Sequence, residues 1–289
     1  METLDRMVRA IDYLEENISG KVDVAEAARV ACSSSFHFQR MFHILTGYTV
    51  AEYVRCRRLT HAAQELSASA TSVFDVALKY GYDSPEAFSK AFRKLHGLSP
   101  TAARSRGAVL RHFPRISFQL QIKGDKPMDY RIEEKPAFTV VGSGIRVNTA
   151  NGENLKVIPE FWGKFTDYEN LCKLQKADGV VGIAMLGVCA NFDPALEQFT
   201  YLIAVESAPD ADFGSYEHLE VPAATWAVFD SVGPVTKSIQ AVWQRIFAEF
   251  FPSSGYEHAS GLPEFERYPP GDVDGGEYRC EVWIPVVKK

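Results

Sequence analysis

The chain contains no apolar run approaching the roughly 18–20 residues that a membrane-spanning helix requires, so no transmembrane helix is expected. Its first residues, Met1-Glu2-Thr3-Leu4-Asp5-Arg6, lack a basic segment followed by an apolar one, and no secretory leader is expected. Cysteine is sparse and unpatterned. Cys32, Cys56, Cys172, Cys189 and Cys280 are odd in number, and no two are spaced as CxxC. That argues against a disulfide framework or a structural zinc site and fits a reducing cytoplasm. No Ser-His-Asp or Cys-His arrangement and no zinc motif stands out, so neither catalytic residues nor a metal nor a cofactor are expected, and the chain does not read as an enzyme. Positive charge is also short: the net charge is −6, which taken alone speaks against nucleic acid.

The distribution of charge reverses that inference. Residues 29–111 carry 12 Lys and Arg against 5 Asp and Glu, a net of +7, whereas residues 112–289 carry 16 against 25, a net of −9. A basic stretch of this kind neutralises phosphates and releases their counterions. A length of 289 residues with 46% hydrophobic content accommodates two domains, each with its own core.

The first hundred residues read as helix. Leu4, Met7, Val8, Ile11, Leu14 and Ile18 recur at three-to-four spacing, and Gly20 ends that helix. Asp23 is a candidate N-cap with Glu26 as its capping-box partner, opening a short helix of Val24, Ala27, Ala28 and Ala31. Cys32-Ser33-Ser34 forms a turn. A second helix is predicted from Ser35 to about Leu45, closed by Gly47, with Phe38, Phe42 and Leu45 inward and Ser35, Gln39, Arg40 and His43 outward. A short helix, a tight turn and an amphipathic helix with a polar, basic outer face make a helix-turn-helix. A long helix over about Val50–Leu66, with Arg55, Arg57 and Arg58, leads to a second copy. Ser72 caps a short helix, Gly81-Tyr82-Asp83-Ser84 turns, and a helix from Pro85 to His96 buries Phe88, Phe92 and Leu95. Glu86, Ser89, Lys90, Arg93 and Lys94 face outward from it, with Ser84 at its start. His37, His43 and His61 read as surface or boundary residues, without ligand partners at suitable spacing.

The repeat is visible directly. Phe38-Gln39-Arg40-Met41-Phe42 matches Phe88-Ser89-Lys90-Ala91-Phe92, with aromatics at i and i+4 and a basic residue at i+2. Two such helices on a rigid connector, about 34 Å apart, would enter successive major grooves. That arrangement requires Arg40 and Lys90 to lie on equivalent, outward faces.

The second unit, Gly81-Tyr82-Asp83-Ser84-Pro85-Glu86-Ala87-Phe88-Ser89-Lys90-Ala91-Phe92-Arg93-Lys94-Leu95-His96-Gly97-Leu98-Ser99-Pro100 followed by Arg104, resembles the signature of the AraC/XylS transcription regulators. Phe36-His37-Phe38-Gln39-Arg40-Met41-Phe42 is similar to that family's first recognition helix. The resemblance covers about residues 1–107. It implies a DNA-binding module in which Phe36, Gln39 and Arg40 read bases through the first helix, and Glu86, Ser89 and Lys90 through the second. It further implies double-stranded DNA of about 20 base pairs as partner, and RNA polymerase as a further contact. Glu86 and Lys90 depart from the Gln and Arg common at those positions. A carboxylate near DNA repels phosphate unless it accepts from cytosine N4. The second helix is thus expected to read weakly, or through shape and backbone contacts.

After Gly107 the pattern changes to strands. Ile116–Ile122 alternates, with a turn at Gly124–Pro127, and 108–128 reads as a linker and first hairpin. Strands follow at Tyr130–Glu133 and Phe138–Ile145, a helix at Asn154–Gln175, and strands at Val180–Cys189 and Phe199–Glu206. The order then repeats: strands at Tyr216–Val221 and Ala224–Asp230, a helix at Val235–Phe251, and strands at Phe265–Tyr268 and Tyr278–Val286. The fold class expected is an all-α N-terminal domain joined to an α+β domain over 129–289, with a duplicated strand-helix-strand-strand pattern, an antiparallel sheet and a cleft between its two helices. Acids two residues from acids or aromatics share a strand face: Glu264 with Glu266, Glu266 with Tyr268, and Glu281 with Trp283. Glu206 ends the apolar strand Tyr201–Val205. Carboxylates on otherwise apolar strands point to a cationic ligand stacked against aromatics. Trp162, Trp226 and Trp243 read more readily as core than as pocket wall.

The segments Phe199–Glu206, Val221-Pro222-Ala223 and Glu281-Val282-Trp283-Ile284-Pro285-Val286 resemble the GyrI-like effector-binding domain, over about residues 113–289. The resemblance implies a small-molecule effector, amphipathic and often cationic, held by Glu266 and Glu281 with Tyr268 and Trp283 as walls. Glu206, Tyr201 and Trp162 complete the candidate ligand-binding set. Because that family also contains toxin-binding inhibitors and hydrolases, the rival expectation is a hydrolase or toxin-sequestering module fused to a DNA-binding domain. A third, a ligand-free adaptor, would be favoured by a cleft filled with the protein's own side chains.

Overall fold

A computed structural model describes residues 2–105, 107–117, 127–149, 152–165, 173–174, 176, 179–193, 196–209 and 214–289. The helical half comprises α1 (Glu2–Glu16), α2 (Val24–Val30), α3 (Ser35–Thr46), α4 (Val50–Ala68), α5 (Val73–Lys79) and α6 (Pro85–His96), followed by a 3₁₀ turn at Ala102–Arg104.

The two helix-turn-helix units are built alike because their boundary residues are alike. Ser34 Oγ accepts from His37 N–H at the start of α3, and Ser84 Oγ from Ala87 N–H at the start of α6. Gly47 and Gly97 end these helices at φ 75° and 78°, a left-handed conformation in which a side chain is strained. The capping box expected at Asp23 does not form. Asp23 accepts from the Ala25 and Glu26 amides, but the Glu26 carboxylate pairs with Arg29. A full capping box instead opens α4, where Thr49 and Glu52 exchange hydrogen bonds.

Met7, Ile11, Leu14, Phe38, Phe42 and Tyr53 form the apolar centre of the first unit, and Leu59, Leu66, Val76, Phe88 and Phe92 that of the second. The connector α4 turns two of its three arginines inward. Arg57 meets Glu15 of α1 through two hydrogen bonds of 2.8 and 2.7 Å, and Arg58 donates to the Ile18 carbonyl. Arg55 is exposed.

The second half is α+β: β1 (Tyr130–Lys135), β2 (Phe138–Asn148), α7 (Asn154–Phe165), β3 (Met185–Asp193), β4 (Gln198–Ser207), β5 (Glu217–Val221), β6 (Ala224–Val232) and α8 (Val235–Arg245). A π-helical stretch at Ile246–Phe250 and a last helical turn at Phe251–Ser253 lead to β7 (Tyr256–His258), β8 (Glu264–Tyr268) and β9 (Arg279–Lys288). Among the described residues the strands form one antiparallel sheet in the order β1-β6-β9-β8-β3-β4-β2-β5, with β7 on the free edge of part of β9. The two copies join at β3–β8, and each copy's first strand crosses to the other: β1 pairs β6, and β5 pairs β2. Of the hairpin expected after residue 108, residues 118–126 lie outside the described residues, and Ile116 and Ser117 are not in a strand. The helix expected over 154–175 is continuous to Phe165, with 166–172 and 175 outside the described residues.

One sheet face carries α7 and α8. The other curls on itself around Phe138, Leu202, Trp226, Phe265 and Trp283. The two halves share a core: side chains of α1, α2 and α3 belong to the same apolar cluster as Ile239, Trp243, Phe247 and Phe251.

Candidate effector cleft and DNA-reading helices

The cleft between α7 and α8 is floored by three registered rows of the sheet. Tyr201, Cys189 and Glu264 lie side by side, as do Ile203, Gly187 and Glu266, and in the next row Met185 and Tyr268. Residues paired across antiparallel strands project to one face, so Glu264, Glu266 and Tyr268 all point at the helices. Trp243 Nε1–H of α8 donates to Glu266 Oε1 at 2.7 Å, and the Tyr268 hydroxyl donates to Glu266 Oε2 at 2.7 Å. Trp162 Nε1–H of α7 donates to the Tyr201 hydroxyl at 2.7 Å, and its ring meets Tyr268 edge-on at 5.4 Å. Gly187 is required beneath this pair, since a Cβ there would lie 2.4 Å from the Tyr201 hydroxyl oxygen.

The cleft is not open. Helix α3 sits in it. The Arg40 guanidinium hydrogen-bonds Glu264 Oε1, lies 3.9 Å from Glu266 Oε1, and stacks 3.8 Å from the centroid of the Trp243 ring. Phe36 packs between Phe192 and Phe199, at 4.6 and 4.5 Å. Gln39 Nε2 donates to Thr149 Oγ1 at 3.1 Å. Ser35 is buried, and His43 borders a residual cavity of about 180 Å³ beside Arg40, walled by Leu155, Ile158, Phe199 and Tyr201. The expectation that Ser35, Gln39, Arg40 and His43 face outward, with Phe36 among the base-reading positions implied by the family resemblance, is therefore corrected. That face is amphipathic in sequence only because its cation has a partner of opposite charge in the other half. On α6, by contrast, Glu86, Lys90, Arg93 and Lys94 are exposed and Ser84 and Ser89 half-exposed.

The electrostatics are those of a buried ion pair. Burial by itself would raise the Glu264 pKa, but the Arg40 guanidinium, with His258 and His37, overrides it and holds the carboxyl at about 2. His37, expected near the surface, is buried with its pKa well below the usual imidazole value, through desolvation first and then through His258 and Arg40. Burial, and after it the Glu266 charge, pushes the Tyr201 and Tyr268 hydroxyls well up, so both stay protonated.

His37, His258 and Glu264 bring ligand-type atoms within 4.8 Å of one another. The two imidazoles are stacked, 4.0 Å apart at 14°. Ring-nitrogen lone pairs lie in the ring plane, so in this arrangement they run alongside each other rather than converge on one ion. The cluster acts as an interdomain contact.

Of the ligand residues expected from sequence, Glu266, Tyr268, Tyr201 and Trp162 come together. Glu281, Trp283 and Glu206 do not. Phe265 pairs with Trp283 and Arg267 with Glu281, which puts these on the opposite sheet face from Glu266. There Glu281 is met by Arg131 at 2.7 Å, Arg267 at 3.4 Å and the Trp283 indole N–H at 2.9 Å, while Glu206 is met by Lys135 at 3.2 Å. Spacing within a strand places Glu281 with Trp283 correctly but cannot give the parity between β8 and β9. Sequence reasoning missed Trp243 and His258 as cleft residues. Trp243 is fully buried, as a core tryptophan would be, and only its hydrogen bond to Glu266 reveals the second role.

Two helix-turn-helix units joined to a sheet domain with an acidic, aromatic cleft define a class: one chain that combines DNA binding with a ligand-binding module. Residues 27–106 match the helix-turn-helix domain and residues 128–287 the GyrI-like small molecule binding domain. The chain belongs to the AraC-type transcription regulators and carries a GyrI-like effector-binding domain as its second half. It is similar to the HTH-type transcriptional activator AarP of Providencia stuartii, 35% identical over 32% of this chain and 68% of AarP. It is similar also to the regulatory protein SoxS of Salmonella typhimurium, 35% identical over 33% of this chain and 90% of SoxS. With the right origin-binding protein of Escherichia coli K12 it shares 35% identity, spanning about a third (32%) of that protein's length. Among solved structures, SAV2435 bound to tetraphenylphosphonium aligns with 55% of this chain and 94% of its own, at 24% identity and a TM-score of 0.49. The DNA-binding domain of AdpA in complex with a target DNA aligns with 34% of this chain and 88% of its own, at 32% identity and a TM-score of 0.31. No helix among the described residues is long and apolar enough to cross a membrane.

Proposed function

We propose that this regulator reads DNA with the polar faces of α3 and α6 across about 20 base pairs, and is controlled by an amphipathic cation bound in the α7–α8 cleft. The modules divide at about residue 107, with 108–128 as the linker. It works in the cytoplasm, with RNA polymerase as a further contact on DNA. The observation that carries the effector reading is the pair of carboxylates, Glu264 and Glu266, set among Trp243, Tyr201 and Tyr268 with a guanidinium already against them. A flat cation with apolar flanks satisfies every group there: charge on the acids, faces on the aromatics.

Thermal-shift screening of the full chain tests this. Aromatic cations are expected to raise the midpoint by mass action, about 2.7 kcal/mol at a hundredfold excess over Kd. Glu266→Gln is expected to lose most of that gain. Equal stabilisation by uncharged analogues of the same shape would refute a cation site.

The hydrolase alternative calls for a carboxyl with a raised pKa to act as general acid. Glu264 is held in the opposite direction. Recovery of the ligand unchanged after prolonged incubation separates sensor from hydrolase. The ligand-free adaptor gains support from one observation, the occupancy of the cleft by α3. A chain that binds no cation even after Arg40→Ala would establish it.

A further inference from the structure

We infer that α3 is the cleft's own resident ligand: the Arg40 guanidinium docks where the effector cation binds, hiding half of the DNA-reading surface until the effector displaces it. This rests on the reading of the cleft as a cation site, and adds to it the means of control.

Three observations combine. First, the two copies of one motif are in opposite states. Glu86 and Lys90 of α6 are exposed, whereas Phe36 and Arg40 at the matching places of α3 are engaged by the sheet domain, as is Gln39 beside them. A helix cannot lie in the α7–α8 cleft and in a major groove at once, so the docked chain can engage only one of two grooves.

Second, the pocket offers Arg40 what DNA would offer it. A guanidinium reads guanine through two acceptors on one edge. Here Glu264 and Glu266 supply acceptors, and the Trp243 ring supplies the flat surface. The same three groups are the ones that would hold a cationic effector, so effector and Arg40 compete for one set of partners.

Third, the docked state is releasable. A buried ion pair gains little net over its hydrated ions, because desolvation offsets most of the attraction. His37 Nδ1 and His258 Nδ1 are buried with no hydrogen-bond partner among the described residues, and water would satisfy both on opening. The residual cavity of about 180 Å³ beside Arg40 gives an incoming molecule a first foothold.

Effector and DNA then both favour the undocked state and strengthen each other by the same factor, as linkage demands. Coupling of this kind is commonly about 5–150-fold.

The test uses the full chain, benzylguanidinium as the cation, and a 30-base-pair duplex enriched by the protein from a random pool. Calorimetric titration is expected to show benzylguanidinium binding Arg40→Ala at least tenfold more tightly than the wild type, since the competitor is gone. Equal affinities overturn the resident-ligand inference and leave the cation site standing. If neither protein binds it, the cation-site reading falls, and the DNA arm alone decides the latch. In that arm Glu264→Gln is expected to bind the duplex about tenfold more tightly than wild type without any ligand. Glu220→Gln, an exposed position with the same change of charge, controls for simple electrostatics and should gain far less. Thr149→Val, which removes the acceptor for Gln39 together with the hydroxyl's own bond to the Glu197 carbonyl, should move affinity the same way by two- to threefold and serves if Glu264→Gln fails to fold. Unchanged DNA affinity in folded Glu264→Gln or Thr149→Val, or an equal gain in Glu220→Gln, refutes the latch.

Discussion

Lys90 stands exposed on α6, which makes it the clearest single-residue probe of DNA contact. Lys90→Ala is expected to weaken specific binding by about 1–3 kcal/mol if it meets a base, with a smaller effect on random duplex. Equal loss on both, in a gel-shift series, would assign it to the phosphates instead. Acid sensitivity also belongs to individual residues. The carboxyl of Glu264 sits at about 2 against an ordinary value of 4.5. Its contribution is complete above 4.5 and is lost as pH falls toward 2, on the order of 3 kcal/mol in all. His37 faces His258 of β7, Glu264 of β8 and Arg40 of its own helix, and its pKa is depressed below 6.5. The unfolded or undocked chain therefore takes up that proton first, and stability is expected to fall as pH drops below 6.5. Urea midpoints measured from pH 8 to 2 should decline in those two windows, and His37→Gln should reduce the decline in the upper one, which His61 and His96 share. A midpoint constant from pH 7 to 5 in the wild type would contradict the burial of this imidazole.

At the scale of elements, equivalent chemistry sets the two recognition helices. Ser84→Ala removes the acceptor for the Ala87 amide and is expected to cost about 1 kcal/mol of stability, seen as a lower denaturant midpoint. The tie between α1 and α4 is larger. Glu15 accepts from Arg57 and from the Tyr53 hydroxyl at 2.6 Å, and Glu15→Ala leaves the buried guanidinium without its counter-ion, keeping only neutral partners such as the Phe113 carbonyl, at a cost of about 3–5 kcal/mol. A loss under 1 kcal/mol would mean that Arg57 finds water instead. In the sheet, Gly187→Ala is expected to displace Tyr201, break its bond with Trp162, and weaken cation binding with little change in DNA affinity.

At the scale of the molecule, the two halves are joined through a common apolar cluster from Met7 to Phe251 and by the docking of α3. Calorimetry of the wild type is accordingly expected to give one cooperative transition. Two well-separated transitions, at temperatures unaffected by Glu264→Gln, would mean that the halves unfold independently and that docking contributes nothing.

Local chemistry made most of the elements legible in the chain itself. Apolar spacing, Ser34 and Ser84 at helix starts, Gly47 and Gly97 at helix ends, and the short apolar runs of β4 and β9 are each settled by neighbours within a few residues. The Phe-x-basic-x-Phe repeat likewise determined that there are two recognition helices and which side chains lie on their polar sides. Tertiary structure decided what those sides meet. Whether Glu281 shares a face with Glu266 depends on a one-residue parity between β8 and β9, which no within-strand spacing contains. Whether Arg40 points to solvent or into a cleft depends on a partner 224 positions away, Glu264. A charged face reads identically in sequence whether water, DNA or a distant carboxylate will neutralise it, because the segment contributes only its own half of the interaction.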